Sequence, residues 1–225
     1  LSAERMRRKY LGAMNKDDAE ILDRATHTIV QQVEAMKEMV NAFSDYARAP
    51  DMDVGQFSMD VLATEVVDMY RAQASNIEII LTSDPSMPMV EADIGRVRQI
   101  LHNLVRNSIE ALENTENGQI DVHVSVAEID YIDVMQIKVE DNGPGFDESS
   151  LAQVFDPYVT SKAKGTGLGL AIVKKLVEEH VGSIRAYNRR SGGAGISIRL
   201  PLTEAAREAI IAQAPARAEQ RRELA

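Results

Sequence analysis

Three short segments hold the residue types that could do chemistry. Asn103 and Asn107 stand four residues apart in Asn103-Leu-Val-Arg-Asn107. Asp141 leads the stretch Asp141-Asn-Gly-Pro-Gly-Phe146, and Gly165-Thr-Gly-Leu-Gly-Leu170 runs into Ala-Ile-Val-Lys-Lys-Leu-Val. Two carboxamides at helical spacing share one face, and their carbonyl oxygens suit Mg2+, which takes oxygen ligands and keeps positions for phosphates and water. An ionised aspartate accepts hydrogen bonds only, which matches an exocyclic amino group such as that of adenine. Glycines 143 and 145 allow a tight turn and the approach of a flat ring. Free N–H groups where a glycine loop opens a helix make an anion site. Each segment alone has an ordinary reading: surface asparagines, a good turn sequence, solvated loop charge. In this order they describe a pocket for ATP and its metal ion.

The glycine loop is not the dinucleotide fingerprint, because its third glycine comes one residue early and no strand leads directly into it. Nor is it a Walker loop, since no Gly-Lys-Ser/Thr follows. Lys162 and Lys164 lie just ahead of it. Lysines beside a phosphate loop point to a lid closing over the nucleotide, with solvated loop charge the open alternative for Lys164.

Periodicity supplies the elements that must position these groups. Apolar residues recur at steps of three and four from Ile21 through Ala25, Ile29, Val33, Met36, Val40 and Phe43 to Ala47. This is one face of a long amphipathic helix. Gly12 and Asn15-Lys-Asp-Asp18 mark a turn from a preceding helix that ends near Tyr10, giving a helical hairpin suited to pairing with a second copy. Pro50 to Gly55 reads as a linker. Asp60 is expected to cap a helix to about Arg71, and Asp93 one to Leu112 with Ile94, Val97, Leu101, Leu104, Ser108 and Leu112 as its buried stripe. Strands are expected at 77–81, 119–126, 134–139, 183–187 and 196–200, and a helix from Gly167 to His180. The tail from Thr203 reads as frayed helix or disorder broken at Pro215. The domain boundaries are therefore 1–49 hairpin, 50–55 linker, 56–202 catalytic domain and 203–225 tail.

Composition narrows the function. The 225 residues carry 25 basic and 35 acidic side chains, a net charge of −10, which argues against a general nucleic-acid binder. There is no cysteine, so disulfides and thiolate zinc sites are excluded. No apolar run approaches the ~20 residues that cross a bilayer. The chain begins inside a charged helical pattern and reads like a piece cut from something longer.

These residues resemble the catalytic and ATP-binding domain of sensor histidine kinases, in the GHKL group with gyrase, a heat-shock chaperone and MutL. Asn103 to Asn107 is similar to the N box and Asp141 to Gly145 to the first glycine box. Phe155 to Tyr158 resembles the F box, Gly165 to Gly169 the second glycine box, and Gly193 to Pro201 the closing strand. Phe155-Asp-Pro-Tyr-Val-Thr-Ser-Lys162 and Leu1 to Tyr10 look most like nitrogen-regulation sensors of the NtrY type. The resemblance covers residues 1 to 202. It implies an α+β chain in which a helical hairpin precedes an α/β sandwich, a mixed sheet with helices on one face.

The resemblance also implies roles. Asn107 would hold Mg2+, and Asn103 and Lys162 would act in catalysis. ATP would contact Asn103, Asn107, Asp141, Gly143 and Gly145, then Thr160, Ser161 and Lys162 of the lid. Gly165, Thr166, Gly167, Leu168 and Gly169 would complete the phosphate loop. The implied partners are ATP and ADP, a second copy through the hairpin, and a response regulator, in a cytoplasmic portion of an inner-membrane-anchored parent. The family phosphorylates a histidine in a His-Glu-Ile-Lys-Asn-Pro type box, then passes the group to an aspartate. None of His27, His102, His123 or His180 sits in such a box, so this chain is expected to bind nucleotide without phosphorylating itself. Ala194 stands where many relatives carry threonine near the adenine.

Overall fold

The computed structural model describes residues 5, 10, 15–47, 51–74, 76–160, 162 and 165–223. Side chains are not described at 34, 35, 38, 39, 41–47 and 214–223. Arg5 and Tyr10 are helical, and the turn expected at Gly12 lies outside the described residues. Helix α1 spans Lys16–Ala47. Asn15 caps it: its Oδ1 accepts from the Asp18 N–H at 2.9 Å while its amide donates to the Asp18 carboxylate. The stripe read from the sequence is exposed at Ile21, Ile29, Val33, Met36 and Val40, whereas Thr26 is buried and α1 packs against helix α4 (Gly169–Glu179).

Strand β1 (Val54–Phe57) pairs antiparallel with β3 (Val90–Asp93), so the stretch read as a linker runs into a strand at Val54. Helix α2 spans Met59–Arg71. Its N-cap is Ser58, whose hydroxyl accepts from the Val61 N–H. Asp60, expected to be the cap, lies in the first turn, where its charge suits the helix dipole. Strand β2 (Ile77–Ser83) leads to β3 and then to helix α3 (Ile94–Ala111), capped by Asp93 and ended at Leu112 as its sequence requires. Strands β4 (Gly118–Ile129), β5 (Ile132–Asp141), β6 (Ser183–Asn188) and β7 (Ala194–Pro201) complete a five-stranded sheet of order β2-β4-β5-β7-β6. The β2–β4 pair is parallel and the others antiparallel; the parallel pair requires the crossover that β3 and α3 supply.

Period-two alternation turns Ile120, Val122 and Val124 of β4, Met135, Ile137 and Val139 of β5, and Ile196, Ile198 and Leu200 of β7 to one side, where each is nearly or fully buried. Helices α2, α3 and α4 pack against that sheet with apolar stripes of their own. The opposite face carries Asp121, Gln136, Glu140 and Tyr187. Helix α5 (Glu204–Glu223) packs against β5 and β7 and runs through Pro215, where the sequence predicted a break. Alanine-rich flanks keep helix propensity high on both sides of that proline.

Candidate functional site

The alternation that builds the core also aims the key carboxylate. Asp141, the last residue of β5, falls in step with Ile137 and Val139 and so points at α3 rather than at solvent. It meets Ser108 there, because Ser108 continues the buried α3 stripe of Leu101, Leu104 and Val105. The Ser108 hydroxyl donates to Asp141 Oδ2 at 3.2 Å, and Oδ1 accepts from the backbone N–H groups of Gly143 at 3.0 Å and Ala194 at 3.2 Å. Asp141 is 4% exposed, at the floor of a cleft that opens to solvent. Leu104, Val139, Phe146, Leu170 and Ile196 give the cleft apolar walls, and Asn107 stands at its edge. Apolar walls around a fixed acceptor suit a purine ring with an amino group.

Residues distant in sequence hold the turn after β5. The Asn188 carboxamide accepts from the Phe146 N–H at 2.7 Å and donates to its carbonyl at 2.8 Å. Gly145 lies against that same side chain. Asn142 spans the neighbouring loop, accepting from the Gln119 N–H and donating to the Asn117 carbonyl. Arg189 donates to the Asp141 carbonyl from the other face of the sheet, where it pairs with Asp121 at 3.3 Å. Gly193, with φ of +98°, passes so close to the Asp141 carbonyl that no side chain fits. Tyr187 crosses Gly195 to donate to Glu140 at 2.9 Å; burial first, then that bond, push its phenol up to about 12. The phenol therefore stays a donor.

The other half of the site is the meeting of α3 with the start of α4. A methyl group on Gly169 would lie 3.5 Å from the Asn107 carboxamide and 3.7 Å from Asn103 Oδ1, so the glycine loop and the asparagine pair do come together. The α4 N-terminus carries no side-chain cap, which leaves first-turn N–H groups open to an anion. Gly167, with φ of +66°, sits where a β-carbon would be 2.5 Å from the Tyr158 backbone, and its carbonyl accepts from the Tyr158 N–H at 3.0 Å. Lys162 reaches α3: its Nζ is 2.5 Å from Glu110 and 3.4 Å from the Asn107 carbonyl. Arg106 lies between, bonded to Asn103 Oδ1 at 3.3 Å and 3.7 Å from Glu110.

The sequence candidates are thus not equivalent. Asn103 is engaged at both ends of its amide, donating to the Gln99 carbonyl at 2.9 Å and accepting from Arg106. Thr160 accepts from the Lys162 N–H and Thr166 from the Leu168 N–H, so both hydroxyls brace the loop. Gly165 packs against the Thr160 side chain. The Leu168 side chain is 1% exposed in the core, which leaves only its backbone for a ligand. Ser161 and Lys164 lie outside the described residues. Ser108, Asn142, Asn188 and Arg189 were not among the candidates. Ser108 read as core because it shares the apolar stripe, and the other three act through partners 23 or more residues away.

A metal ion would find few anionic ligands here, since no cluster of three His, Cys, Asp or Glu side chains occurs among the described residues. The Asn107 oxygen fits Mg2+, which takes one or two protein ligands and fills the remainder from phosphates and water.

Comparison with known proteins identifies the family and the fold. Residues 92–204, half of the chain, match the family described as histidine kinase-, DNA gyrase B- and HSP90-like ATPase. The nitrogen regulation protein NtrY of Azorhizobium caulinodans is 38% identical over 207 residues, 90% of this chain and 26% of that protein. The chain spans about a quarter to a third of the length of the curated NtrY-type relatives it matches. Among solved structures, the catalytic domain of histidine kinase ThkA is 32% identical, with a TM-score of 0.61 over 69% of this chain and 99% of that one. ThkA in complex with its response regulator TrrA is 27% identical, with a TM-score of 0.68 over 89% of this chain and 58% of that one. The chain belongs to the family of histidine kinase-, DNA gyrase B- and HSP90-like ATPases, in its sensor histidine kinase branch, and resembles the NtrY sensors.

Proposed function

We propose that this chain is the Mg-ATP-binding portion of a two-component sensor histidine kinase, with its helical hairpin (1–49) as dimerisation module and residues 56–202 as the catalytic domain. The observation that carries this reading is the buried Asp141 carboxylate, fixed by three hydrogen bonds at the floor of an apolar cleft. Adenine lies in the cleft with its amino group on Asp141. The polyphosphate runs along α3 to the open N-terminus of α4, and Asn107 holds the metal ion. Mg2+, when bound, neutralises and orients the phosphates. Phosphoryl transfer needs mainly positioning and charge neutralisation, which a pocket of amides, backbone N–H groups and a lysine supplies.

The γ-phosphoryl group goes to a histidine and from there to a response-regulator aspartate, in nitrogen-related signalling by a membrane-anchored parent. His27 is exposed on α1 but is followed by Thr28-Ile29-Val30, with no acid beside it; His102 packs edge-on against Tyr70, His123 lies on a strand, and His180 is buried. None of them is the acceptor in this reading. A gyrase-like ATPase needs a general base where Asn103 stands, and a carboxamide cannot take a proton from water. The direct test supplies a longer partner chain carrying the acceptor box, together with γ-labelled ATP. Label on the partner supports the kinase reading. Fast release of phosphate with no label on the partner contradicts it.

A further inference from the structure

Ser108 lies on the floor of the cleft beside Asp141, and its role follows from proton accounting. A serine hydroxyl has one proton and two lone pairs. In this structure the proton is committed to Asp141 Oδ2, because an ionised carboxylate can only accept. The hydroxyl is 7% exposed as a residue, lines the cleft, and belongs to a helix whose other buried side chains lock its position. With its proton spent on Asp141, the hydroxyl of this cleft-lining residue has only acceptor capacity left to offer. Asp141 Oδ1 already accepts twice, from Gly143 and Ala194, so the capacity that remains at the floor is Oδ2 together with the serine oxygen.

Building on the nucleotide-site reading above, we infer that Ser108 is a second base-reading group: its hydroxyl oxygen accepts one hydrogen of the adenine 6-amino group while Asp141 Oδ2 accepts the other. Two adjacent acceptors, with the serine proton already spent between them, favour a ligand that presents two donors from one atom. A primary amine on the ring does so. A 6-keto purine presents an acceptor at the same point and so sets its keto oxygen against two acceptors with no proton to share, an arrangement that discriminates strongly. Asp141 sets the proton of Ser108, so the two groups act as one reader and should be coupled energetically.

The test is a cycle between protein and ligand by isothermal titration, using the magnesium complexes of ATP and of purine riboside triphosphate, which lacks only the 6-amino group. The unaltered chain prefers ATP. Ser108→Ala weakens ATP about three- to tenfold and leaves purine riboside triphosphate unchanged, so the preference shrinks by that factor. Ser108→Thr, which keeps the hydroxyl, retains the preference. Equal weakening of both ligands by Ser108→Ala means a packing role and overturns the inference, as does an unaltered ratio. Absence of ATP binding by the unaltered chain is a different failure: it removes the nucleotide-site reading itself.

Discussion

The two ends of the cleft are built differently. At the Asp141 end the carboxylate is 4% exposed, receives three hydrogen bonds and sits on a turn pinned by Asn142, Asn188 and Arg189. At the Asn107 end the charges lie nearer to solvent and are paired with one another: Lys162 and Glu110 side chains are 35% and 44% exposed, and Arg106 bridges Asn103 and Glu110. One end is organised before any ligand arrives. The other must exchange an internal carboxylate for phosphate, since the lysine proposed to act on the nucleotide holds Glu110 instead. In the proposed reading, specificity belongs to the pinned end and conformational response to the other, a division expected where binding energy orders a loop.

That contrast is most easily broken at Asp141. Asp141→Ala should weaken adenosine and ATP alike by about ten- to a hundredfold, because it removes the charged acceptor and leaves three donors unpaired. It should also erase the preference for adenine over guanine. Titration of both nucleosides checks this. Asn107→Ala should instead weaken Mg-ATP about tenfold while leaving adenosine binding intact. A loss of adenosine binding in that variant would place Asn107 in the base half.

Backbone geometry gives the next effect. Gly167→Ala places a β-carbon against Tyr158 at a positive φ and should cost roughly 1–3 kcal/mol locally. It should weaken ATP more than adenosine and lower the thermal midpoint of the domain by a few degrees. Glu110→Gln should act in the opposite direction, tightening ATP two- to fivefold by releasing Lys162. This is a modest gain because the pair is partly exposed and screened by solvent. If adenosine responds equally, the lysine is not held in reserve for phosphate.

The smallest effect is on stability away from the cleft. His180 caps α4; its Nδ1 donates to the Leu176 carbonyl at 2.7 Å and its Nε2 accepts from the Asp93 N–H. Burial above all holds this imidazole below its usual value of 6.5, and burial together with Arg98 and Arg106 does the same for His102. The unfolded chain therefore binds more protons than the native one just below the usual value. Stability should be complete above about pH 6.5 and decline as the pH falls through and below it. Urea unfolding of the parent and of His180→Gln between pH 5 and 8 checks this, with a shallower slope expected for the variant.

Much of this was legible in the sequence, for reasons that particular residues make plain. Period-two alternation located β4 and β5 and ended β5 at Glu140, one residue short of the observed end at Asp141, while Asp93 announced α3 by its type and place. Short elements were harder. β1 and β3 have four residues each, too few for the alternation of Val90 and Ala92 with Glu91 and Asp93 to stand out, and pairing between positions far apart in the chain makes them strands. Ser58 and Asp60 are both good helix-start residues, and only the backbone geometry separates cap from first turn. In the site, the candidate residues stood in recognisable motifs, but their supports did not. Ser108 looked like a small residue in an apolar stripe, and its bond to Asp141 spans 33 residues. Asn188 reaches Phe146 across 42. Such contacts leave no local trace.

The central claim is that one adenine nucleotide occupies the cleft with its amino group on a pre-formed carboxylate. Isothermal titration of the folded chain with a non-hydrolysable ATP analogue and Mg2+, run beside folded Asp141→Ala, tests it most directly. The account predicts one site per chain and a loss of at least tenfold in the variant. No binding by the folded parent, or equal affinity in the two proteins, would contradict it.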